Sequence, residues 1–432
     1  MTIDRNIVQS KTLKFIDLFA GLGGIRIGFE NACRSNGLFS ECVLSSEIKP
    51  FAIKAYQKNF QEDSHLDITE IETEQIPDFD VLLAGFPCQP FSSAGLRRGF
   101  NDERGNLFFE ITRILEQKKP SAFLLENVDA IVKHDNGRTF QFIISALEDI
   151  GYNVSYAVLN SEDFGVPQNR KRVYICGSLD GKIDLSFFKV EKSSIGSIME
   201  SSVQDESTPF IESLLSHFSI DYLTGKSIKD KRGGQNNIHS WDLELKGSVS
   251  NEQKKLMNML LKKRRMKKWA EQKGITWMDG MPLTLSEIST FCSHDDLQGM
   301  LDDLVEKGYL KYEHPKDLRE IDGIKKRVYA TDKPKGYNIV AGKLSFPIAK
   351  VLDPSETCPT LVATEVGRYV VPTGTGLRKF TIREGLRLAG FPDGYNLDFL
   401  SYNEAFDLLG NTVTPPVIEK ISERIVGCLQ KK

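Results

Sequence analysis

Short apolar runs alternate with amphipathic stretches from residue 12 to about residue 180. The runs lie in TLKFIDLF, CVLSSE, DVLLAGF and SAFLLEN, and the helical candidates between them include Leu107 to Gln117 and Thr139 to Ile150. Runs that are apolar throughout are typical of strands covered on both faces. The alternation of such strands with helices predicts an α/β fold with a mostly parallel sheet.

The pattern changes twice beyond these strands. YNVSYAVLN and KRVYICGSL predict a late pair of strands at one edge of the sheet. From about residue 186 to 340 the chain is serine-rich, charged and less periodic, which predicts a second domain. The last stretch regains apolar order and predicts three helices, in TIREGLRLAG, SYNEAFDLL and PPVIEKISERIVGCLQ.

Composition narrows the class of protein. The 432 residues are 40% hydrophobic and 27% charged, and no apolar run approaches the roughly 20 residues of a membrane span, so we expect a soluble globular protein without a membrane partner. The N-terminus lacks the apolar core of a signal peptide. The seven cysteines are scattered without a CxxC pair, which argues against zinc sites and disulfides and favours a reducing cytoplasm. We therefore expect no metal.

Charge is unevenly distributed along the chain. The net charge is only -3, but residues 254 to 273 hold nine lysines and arginines against one glutamate. Such a run is either a solvated helix face or a patch that faces phosphates, and the sequence leaves both interpretations open.

A glycine-rich turn, in DLFAGLGGIRIGFE, follows the first predicted strand. Ala20, Gly21, Gly23 and Gly24 allow the backbone to turn tightly and to approach a ligand closely. Glu47 ends the second strand, where a carboxylate can bind ribose hydroxyls. Because the glycines do not match a phosphate-binding GxxxxGK[ST] loop, we expect a nucleoside-like ligand without a polyphosphate. Asp67 is expected at the end of the third strand, as a second polar anchor.

A lone cysteine, Cys88, follows the strand in DVLLAGF, at the sheet edge where open α/β sheets place their chemistry. Such a cysteine is often inert packing. Here Pro87 and Pro90 stiffen the loop, and nearby hydroxyl and arginine side chains favour a thiolate, namely Ser92, Ser93, Arg97 and Arg98.

Polar residues also lie at the ends of two other predicted strands, after one and before the other. Glu126 and Asn127 follow an apolar run, although Asn127 could simply cap a helix. Arg170 and Arg172 precede a later strand, and alternation directs both side chains to one face, where they could bind an anionic or carbonyl group. A cysteine and a carboxyl on neighbouring strand ends indicate covalent catalysis with acid assistance.

Together, the blocks DLFAGLGG, GFPCQPFSSAG, ENV, QNRKRVYI, RKFTIREGLRLAGFPDGY and LLGNTVTPPV resemble the DNA (cytosine-5)-methyltransferase family in its bacterial restriction-modification form. The resemblance covers residues 12 to 180 and about 340 to 432. It implies a Rossmann-like methyltransferase domain, formed by residues 1–185 and completed by 396–432. Residues 186–375 correspond by position to a target recognition domain, and 376–395 to a hinge or return segment.

The resemblance implies that the ligand is S-adenosylmethionine. Glu47 would bind its ribose and Asp67 would lie near its adenine amino group. The other residues implied to contact it are Phe19, Gly21, Leu22, Gly24, Ile48, Ile68, Pro87, Leu107, Asn411 and Val413.

The resemblance also implies the catalytic roles. The Cys88 thiolate would attack carbon 6 of a cytosine flipped out of the duplex, Glu126 would bond its amino group and ring nitrogen 3, and Arg172, with Arg170 nearby, would hold its carbonyl. The implied contacts to DNA are Gln89, Ser92, Arg97 and Thr360, the last of these near a phosphate of the target nucleotide.

The insert in the second domain has its own pattern. Segments around NEQKKLMNMLLKKRRMKKWAEQ, TLSEISTF and DDLQGMLDDLVEKGYLKYEH predict three helices and KKRVYATDKP a wing, as in a winged helix; a simpler α+β insertion is the alternative. The third helix region is acidic, with Asp295, Asp296, Asp302 and Asp303, so DNA contact is expected through the basic helix or through Lys325, Lys326 and Arg327.

The predicted function is therefore methylation of carbon 5 of cytosine in a specific duplex DNA sequence, with double-stranded DNA as partner and a cognate restriction endonuclease as a separate chain. We expect a cytoplasmic monomer. Two alternatives remain: a tRNA-directed member of the same superfamily, against which the large insert argues, and a catalytically idle DNA-binding regulator, against which the intact motifs argue.

Overall fold

A computed structural model describes residues 12–86, 107–230, 234–276, 280–321, 324–340, 346–362 and 366–431. Its strands are β1 Thr12–Leu18, β2 Phe39–Ser46, β3 Val81–Gly85, β4 Ala122–Val128, β5 Asn153–Asn160, β6 Gln168–Asn169, β7 Lys171–Ser178, β8 Ser227–Ile228, β9 Asn237–Ile238, β10 Leu310–Glu313, β11 Lys316–Ile321, β12 Ile324–Tyr329, β13 Gly336–Ile339, β14 Lys350–Val351, β15 Cys358–Pro359, β16 Tyr369–Pro372 and β17 Leu377–Arg378.

The α-helices of the same ranges are α1 Gly24–Ser35, α2 Pro50–Phe60, α3 Leu107–Lys118, α4 Arg138–Asp149, α5 Pro209–His217, α6 Ile220–Leu223, α7 Asn251–Lys263, α8 Lys268–Lys273, α9 Leu285–Ser289, α10 Leu297–Glu306, α11 Ile382–Leu388, α12 Tyr402–Asn411 and α13 Pro415–Leu429. No helix in the described ranges is long and apolar enough to cross a membrane.

The chain divides into two compact units. The first comprises the described residues of Met1–Val203, Pro354–Gly367 and Phe380–Lys432, and the second those of Gln204–Asp353 and Arg368–Lys379. The predicted hinge, 376–395, runs across this division. Its first residues, up to Lys379, belong to the second unit, and the rest belongs to the first unit, where α11 packs against α12. The predicted domain boundaries stay a prediction.

The first unit is built on a six-stranded sheet in the order β2-β1-β3-β4-β7-β5. The pairs β1–β2, β1–β3 and β3–β4 are parallel, and β7 runs antiparallel to both β4 and β5. This arrangement confirms the prediction of an α/β fold with a mostly parallel sheet and two late strands at one edge.

Alternate residues of the central strands enter two separate cores. Leu82 and Phe123 belong to a core that includes α3 and α4, whereas Leu83 and Leu124 belong to a core that includes α1 and α13. Strands covered on both faces need apolar side chains at successive positions. This requirement explains why β3 and β4 read as continuous apolar runs in the sequence.

The second unit contains a small five-stranded sheet, in the order β17-β16-β14-β8-β9, and a helical part with its own core. In the helical part Trp241 and Trp269 are buried with apolar residues of α7, α9 and α10. The Ser250 side chain accepts from the backbone N–H of Gln253, and the Gln253 side chain accepts from the backbone N–H of Ser250. This capping box begins α7. Strand β10 pairs with β13, and β11 with β12, both antiparallel.

Candidate active site

Several sheet strands of the first unit bring polar residues to one edge. The parallel strands β1, β2, β3 and β4 all end at this edge. Because β7 is antiparallel to β4, it begins where β4 ends, and Arg172 pairs in register with Val128. The antiparallel insertion of β7 therefore places the arginines of QNRKR beside the glutamate of ENV.

Glu126 and Arg172 form an ion pair at this edge. Paired residues of an antiparallel ladder share a face, and so do residues two apart along a strand, so these two side chains meet diagonally across β4 and β7. The Arg172 Nε to Glu126 Oε1 distance is 3.1 Å, and the two side chains are only 13% and 10% exposed. Sequence alternation predicts only that Arg170 and Arg172 share a face, and the antiparallel register of β7 brings Arg172 to Glu126.

The carboxyl group of Glu126 has altered acidity. Burial raises the pKa of Glu126, while the positive charges of Arg172 and Arg170 oppose that rise. Burial also lowers the pKa of Arg170, to about 10. A carboxyl with a raised pKa keeps its proton to higher pH, so it can donate a hydrogen bond as a neutral acid.

Arg170 forms hydrogen bonds with the C-terminal segment, while its charge still acts on Glu126. Its guanidinium donates to the carbonyl oxygens of Gly410, at 3.0 Å, and Thr412, at 2.6 Å. The residue is 4% exposed, and its Nε has no hydrogen-bond partner in the described part of the chain. The geometry makes Arg170 an anchor for residues 410–412, a role that its sequence spacing does not reveal.

The glycine turn is closed by that same C-terminal segment. Gly23, with a φ of 68°, forms the N-cap of α1 in the left-handed region, which favours glycine. A Cβ added at Gly24 would overlap the carbonyl oxygen of Val413. The predicted cofactor residues Gly24 and Val413, far apart in sequence, are therefore in close contact.

Glu47 fixes the other side of the turn. Its carboxylate accepts from the backbone N–H of Gly21 at 2.8 Å, of Ile48 at 2.8 Å and of Lys49 at 2.9 Å. A carboxylate can accept about four hydrogen bonds, so one position is left for a ligand hydroxyl. Ile48 beside it is 64% exposed and presents an apolar side chain next to the carboxylate.

A buried acid, Asp17, lies in β1 just before the turn and accepts from the Tyr56 hydroxyl at 3.3 Å. Burial raises the pKa of Asp17 from 3.8 to about 8, against the opposing charge of Arg26. The folded protein thus binds this proton more tightly than the unfolded chain does. The contribution of Asp17 to stability is fully present below about pH 4 and is lost as pH rises through about 8.

We therefore expect Asp17→Asn to flatten the pH dependence of the free energy of unfolding between about pH 4 and pH 8, because asparagine can still accept from Tyr56 but cannot titrate. Denaturant unfolding of both proteins across this range measures the effect. Parallel curves for the two proteins would contradict the assignment.

The expectation of a strand ending at Asp67 is wrong. Between α2 and Asp67, all within the described range 12–86, the one ladder contact is an isolated bridge between His65 and Glu47. Asp67 itself caps the 3-10 turn Ile68–Glu70. Its Oδ1 accepts from the N–H and the hydroxyl of Thr69, at 3.0 and 2.7 Å. Aspartate competes well for such local bonds, which is why a cap forms here instead of a ladder.

The other predicted cofactor residues lie at element ends. Phe19, with a φ of 56°, and the buried Leu22 belong to the glycine turn. Ile68 is buried, and Leu107 begins α3 half-buried. Asn411 ends α12 and donates its side-chain amide to the carbonyl of Asp407 at 2.8 Å.

Two anchoring residues escape prediction from sequence. Asn127 donates to the Phe86 carbonyl at 3.0 Å and accepts from the Val128 N–H at 2.8 Å, so it joins the ends of β3 and β4 and does not cap a helix. Gln168 donates to the Leu388 carbonyl at 2.7 Å. Both are buried amides, and a buried amide usually has a hydrogen-bond partner. An amide residue beside an apolar run was therefore the signal in the sequence that could have indicated an anchoring role.

Thr360 joins the same region. Strand β15 pairs with β6, and the Thr360 hydroxyl donates to the Asn169 carbonyl at 2.6 Å. The predicted site residues Pro87, Cys88, Gln89, Ser92 and Arg97 lie outside the described residues. Within the described ranges no group of three acidic, histidine or cysteine side chains could hold a metal ion.

The sequence profile of the family described as C-5 cytosine-specific DNA methylase matches residues 13–427. The chain belongs to this family. This DNA methylase is 54% identical over 425 residues to Type II methyltransferase M.NlaIV of Neisseria lactamica, a match that covers 96% of the chain and 99% of that protein. It is 42% identical to Type II methyltransferase M.BanI of Aneurinibacillus aneurinilyticus, over 95% of each.

A solved methyltransferase, EhMeth of Entamoeba histolytica, has the same fold as this DNA methylase, with a TM-score of 0.52 at 17% identity over 97% of the chain and 99% of that structure. Family membership confirms the predicted DNA (cytosine-5)-methyltransferase activity and favours it over the tRNA-directed and idle alternatives. Methyltransferases of this family use S-adenosylmethionine, as the resemblance implies.

Proposed function

We propose that this methyltransferase modifies a cytosine flipped out of a specific duplex sequence, through a transient bond to Cys88, with Glu126 as the acid and Arg172 as its partner. The buried Glu126–Arg172 ion pair, at the sheet edge that also carries the glycine turn, is the observation that supports it. A paired base cannot reach a buried carboxyl, so flipping is required, at a cost of a few kcal/mol.

Carbon 5 of cytosine is a poor nucleophile, and the proposed steps overcome this. The Cys88 thiolate forms a bond to carbon 6 while Glu126 gives its proton to ring nitrogen 3, which makes carbon 5 enamine-like. Carbon 5 then takes the methyl group. Loss of the carbon 5 proton to a base or water restores the double bond, breaks the sulfur–carbon bond and returns the proton at nitrogen 3 to Glu126.

The residues at the glycine turn fit the implied cofactor. Gly21 has open space where a Cβ would stand, and Glu47 retains one acceptor position beside the exposed Ile48. When bound, S-adenosylmethionine supplies an electrophilic methyl group on its sulfonium. Glu47 would hold the ribose, the turn from Phe19 to Gly24 would line the hollow, and Asp67 would lie near the adenine.

We assign Arg170 a positioning role in this scheme. Its two bonds hold the segment that covers Gly24, so Arg170→Gln releases the segment without removing a group from the reacting base. Loss of hydrogen bonds from a charged donor costs about 1.5–3 kcal/mol, so we expect the KM for S-adenosylmethionine to rise about 10- to 100-fold.

Steady-state kinetics at saturating DNA measure KM for S-adenosylmethionine and kcat separately. We expect kcat to stay near that of the wild type. Arg170→Lys is the matched control, because it keeps the charge and one bond and should show a smaller rise in KM. A fall in kcat with KM unchanged would instead place Arg170 at the reacting base.

The second unit, with residues 186–375 as the predicted extent, would be the target recognition domain. Three helices, α7, α9 and α10, followed by β10, a β11–β12 hairpin and β13, support a winged-helix arrangement for its insert. Thr360 would contact a phosphate of the target nucleotide. The relatives carry Type II names. We infer a restriction-modification setting with a separate endonuclease, and a monomer in the cytoplasm.

Bisulfite sequencing of plasmid DNA from cells that express the gene tests the proposal. We expect cytosine methylation at one recurring duplex sequence. Parallel assays of the purified protein on duplex DNA and on tRNA complete the test, and activity confined to tRNA would refute it.

A further inference from the structure

The hairpin formed by β11 and β12 is the most exposed regular element in the described part of the second unit. All residues from Leu318 to Ile321 and from Ile324 to Arg327 are exposed. The two strands carry five basic residues against two acidic ones. A two-stranded ribbon is marginal when isolated, so one with so little packing has a role other than filling a core.

The register divides the hairpin into two faces. Directly paired residues of an antiparallel ladder share a face, and the faces alternate along each strand. One face, here named the outer face, carries Lys316, Leu318, Glu320, Lys325, Arg327 and Tyr329. The opposite face, named the inner face, carries Asp317, Arg319, Ile321, Ile324, Lys326 and Val328.

The inner face is committed to its own unit. Asp317 accepts from the Thr276 N–H at 2.9 Å, and Arg319 lies 3.4 Å from Asp332. Val328 is half-buried. These contacts hold the inner face to its own unit. On the outer face Tyr329, at the base of the hairpin, donates to Glu313 at 3.2 Å, and the exposed residues from Leu318 to Arg327 on that face are left for a partner.

The outer face carries a net positive charge, because Lys316, Lys325 and Arg327 stand against Glu320, which pairs in register with Lys325. In the described ranges no ion pair joins Lys325 or Arg327 to an acidic side chain. Lys316 packs over the ring of Tyr329, 4.8 Å from its centroid, at the base of the hairpin. Basic side chains on an exposed ribbon complement the phosphates of a duplex.

Helix α10, the third helix of the arrangement, offers the opposite charge. It carries Asp302, Asp303 and Glu306 and no basic residue, and Asp302 and Glu306 are exposed. A helix with this surface would repel phosphates. The charge pattern therefore argues against the usual helix-in-groove contact for α10 and favours the hairpin.

We propose that the outer face of the β11–β12 hairpin binds the DNA backbone, with Lys325 and Arg327 contacting phosphates. This separates them from Lys326, which lies on the inner face. The inference rests on the proposed function, because it assumes that the partner is duplex DNA.

The test compares two double variants of the full-length protein that each remove two positive charges. The outer-face variant is Lys325→Ala with Arg327→Ala, and the inner-face control is Arg319→Ala with Lys326→Ala. Fluorescence anisotropy with a labelled duplex of mixed sequence gives Kd across a salt titration. Loss of two phosphate contacts should raise Kd about 30-fold at ~0.15 M salt and reduce the slope of log Kd against log salt by about 2.

The inner-face control should keep Kd and slope near those of the wild type. Equal binding by the two variants, whether both weakened or both unchanged, overturns the proposal. A wild-type protein that binds but does not methylate DNA refutes the proposed function instead, and the binding comparison still decides the role of the hairpin.

Discussion

A Cys88→Ala variant should form no covalent complex with duplex DNA containing 5-fluorocytosine, and its methyl transfer should fall to the detection limit. The wild-type protein, given S-adenosylmethionine, should be trapped on the same DNA, because fluorine at carbon 5 cannot leave as a proton does and the sulfur–carbon bond persists. A denaturing gel separates the trapped complex from free protein.

The control for this experiment is Cys428→Ala. Cys428 is half-buried on α13 and contacts only Ser178 among the described hydrogen-bond partners, with its Sγ 3.8 Å from the Ser178 Oγ. This variant should trap and turn over like the wild type. If Cys88→Ser retains the wild-type rate, nucleophilic attack by residue 88 is excluded.

Glu126→Gln should lower kcat about 10²- to 10⁴-fold, the range of a lost general acid. Glutamine keeps the shape of the side chain and can still bond Arg172 and the base, but it cannot give a proton to ring nitrogen 3. Single-turnover methylation with saturating DNA and cofactor isolates this step. The exposed Glu116→Gln in α3 is the matched control and should leave kcat unchanged.

The pH profile distinguishes an acid from a purely structural carboxylate. Because burial raises the pKa of Glu126, its acid form persists to higher pH, and the wild-type rate should decline as pH rises through that pKa. The residual rate of Glu126→Gln should lack this decline. An identical profile in both proteins would mean that Glu126 does not supply the proton.

Prediction from sequence succeeded where local pattern carries the information. β1, β3 and β4 were predictable because burial on both faces requires successive apolar residues, and α1 because a glycine turn precedes it. Asp67 was misplaced because HLDIT resembles a strand end, while the short-range bonds to Thr69 that decide its structure are not visible as a period.

The roles of Arg170 and Gln168 could not be predicted for a different reason. Arg170 bonds the carbonyls of Gly410 and Thr412, and Gln168 bonds that of Leu388, all more than two hundred positions away. These acceptors are backbone carbonyls, so the blocks RKFTIREGLRLAGFPDGY and LLGNTVTPPV, which contain them, do not reveal the bonds. The pairing of Glu126 with Arg172 was predictable only as a shared region, because the antiparallel direction of β7 sets the distance.

The packing of α13 on α1 has a consequence for biosynthesis. The ribosome makes α1 and the central strands early and α13 only after the whole second unit, yet Ile418 and Ile425 complete the core on that side of the sheet. Until they arrive, the core around Phe15 and Leu83 lacks the side chains of α13 and leaves more apolar surface in water, a condition that promotes aggregation and recruits chaperones. The apolar core on this side of the sheet is thus complete only once translation has passed α13.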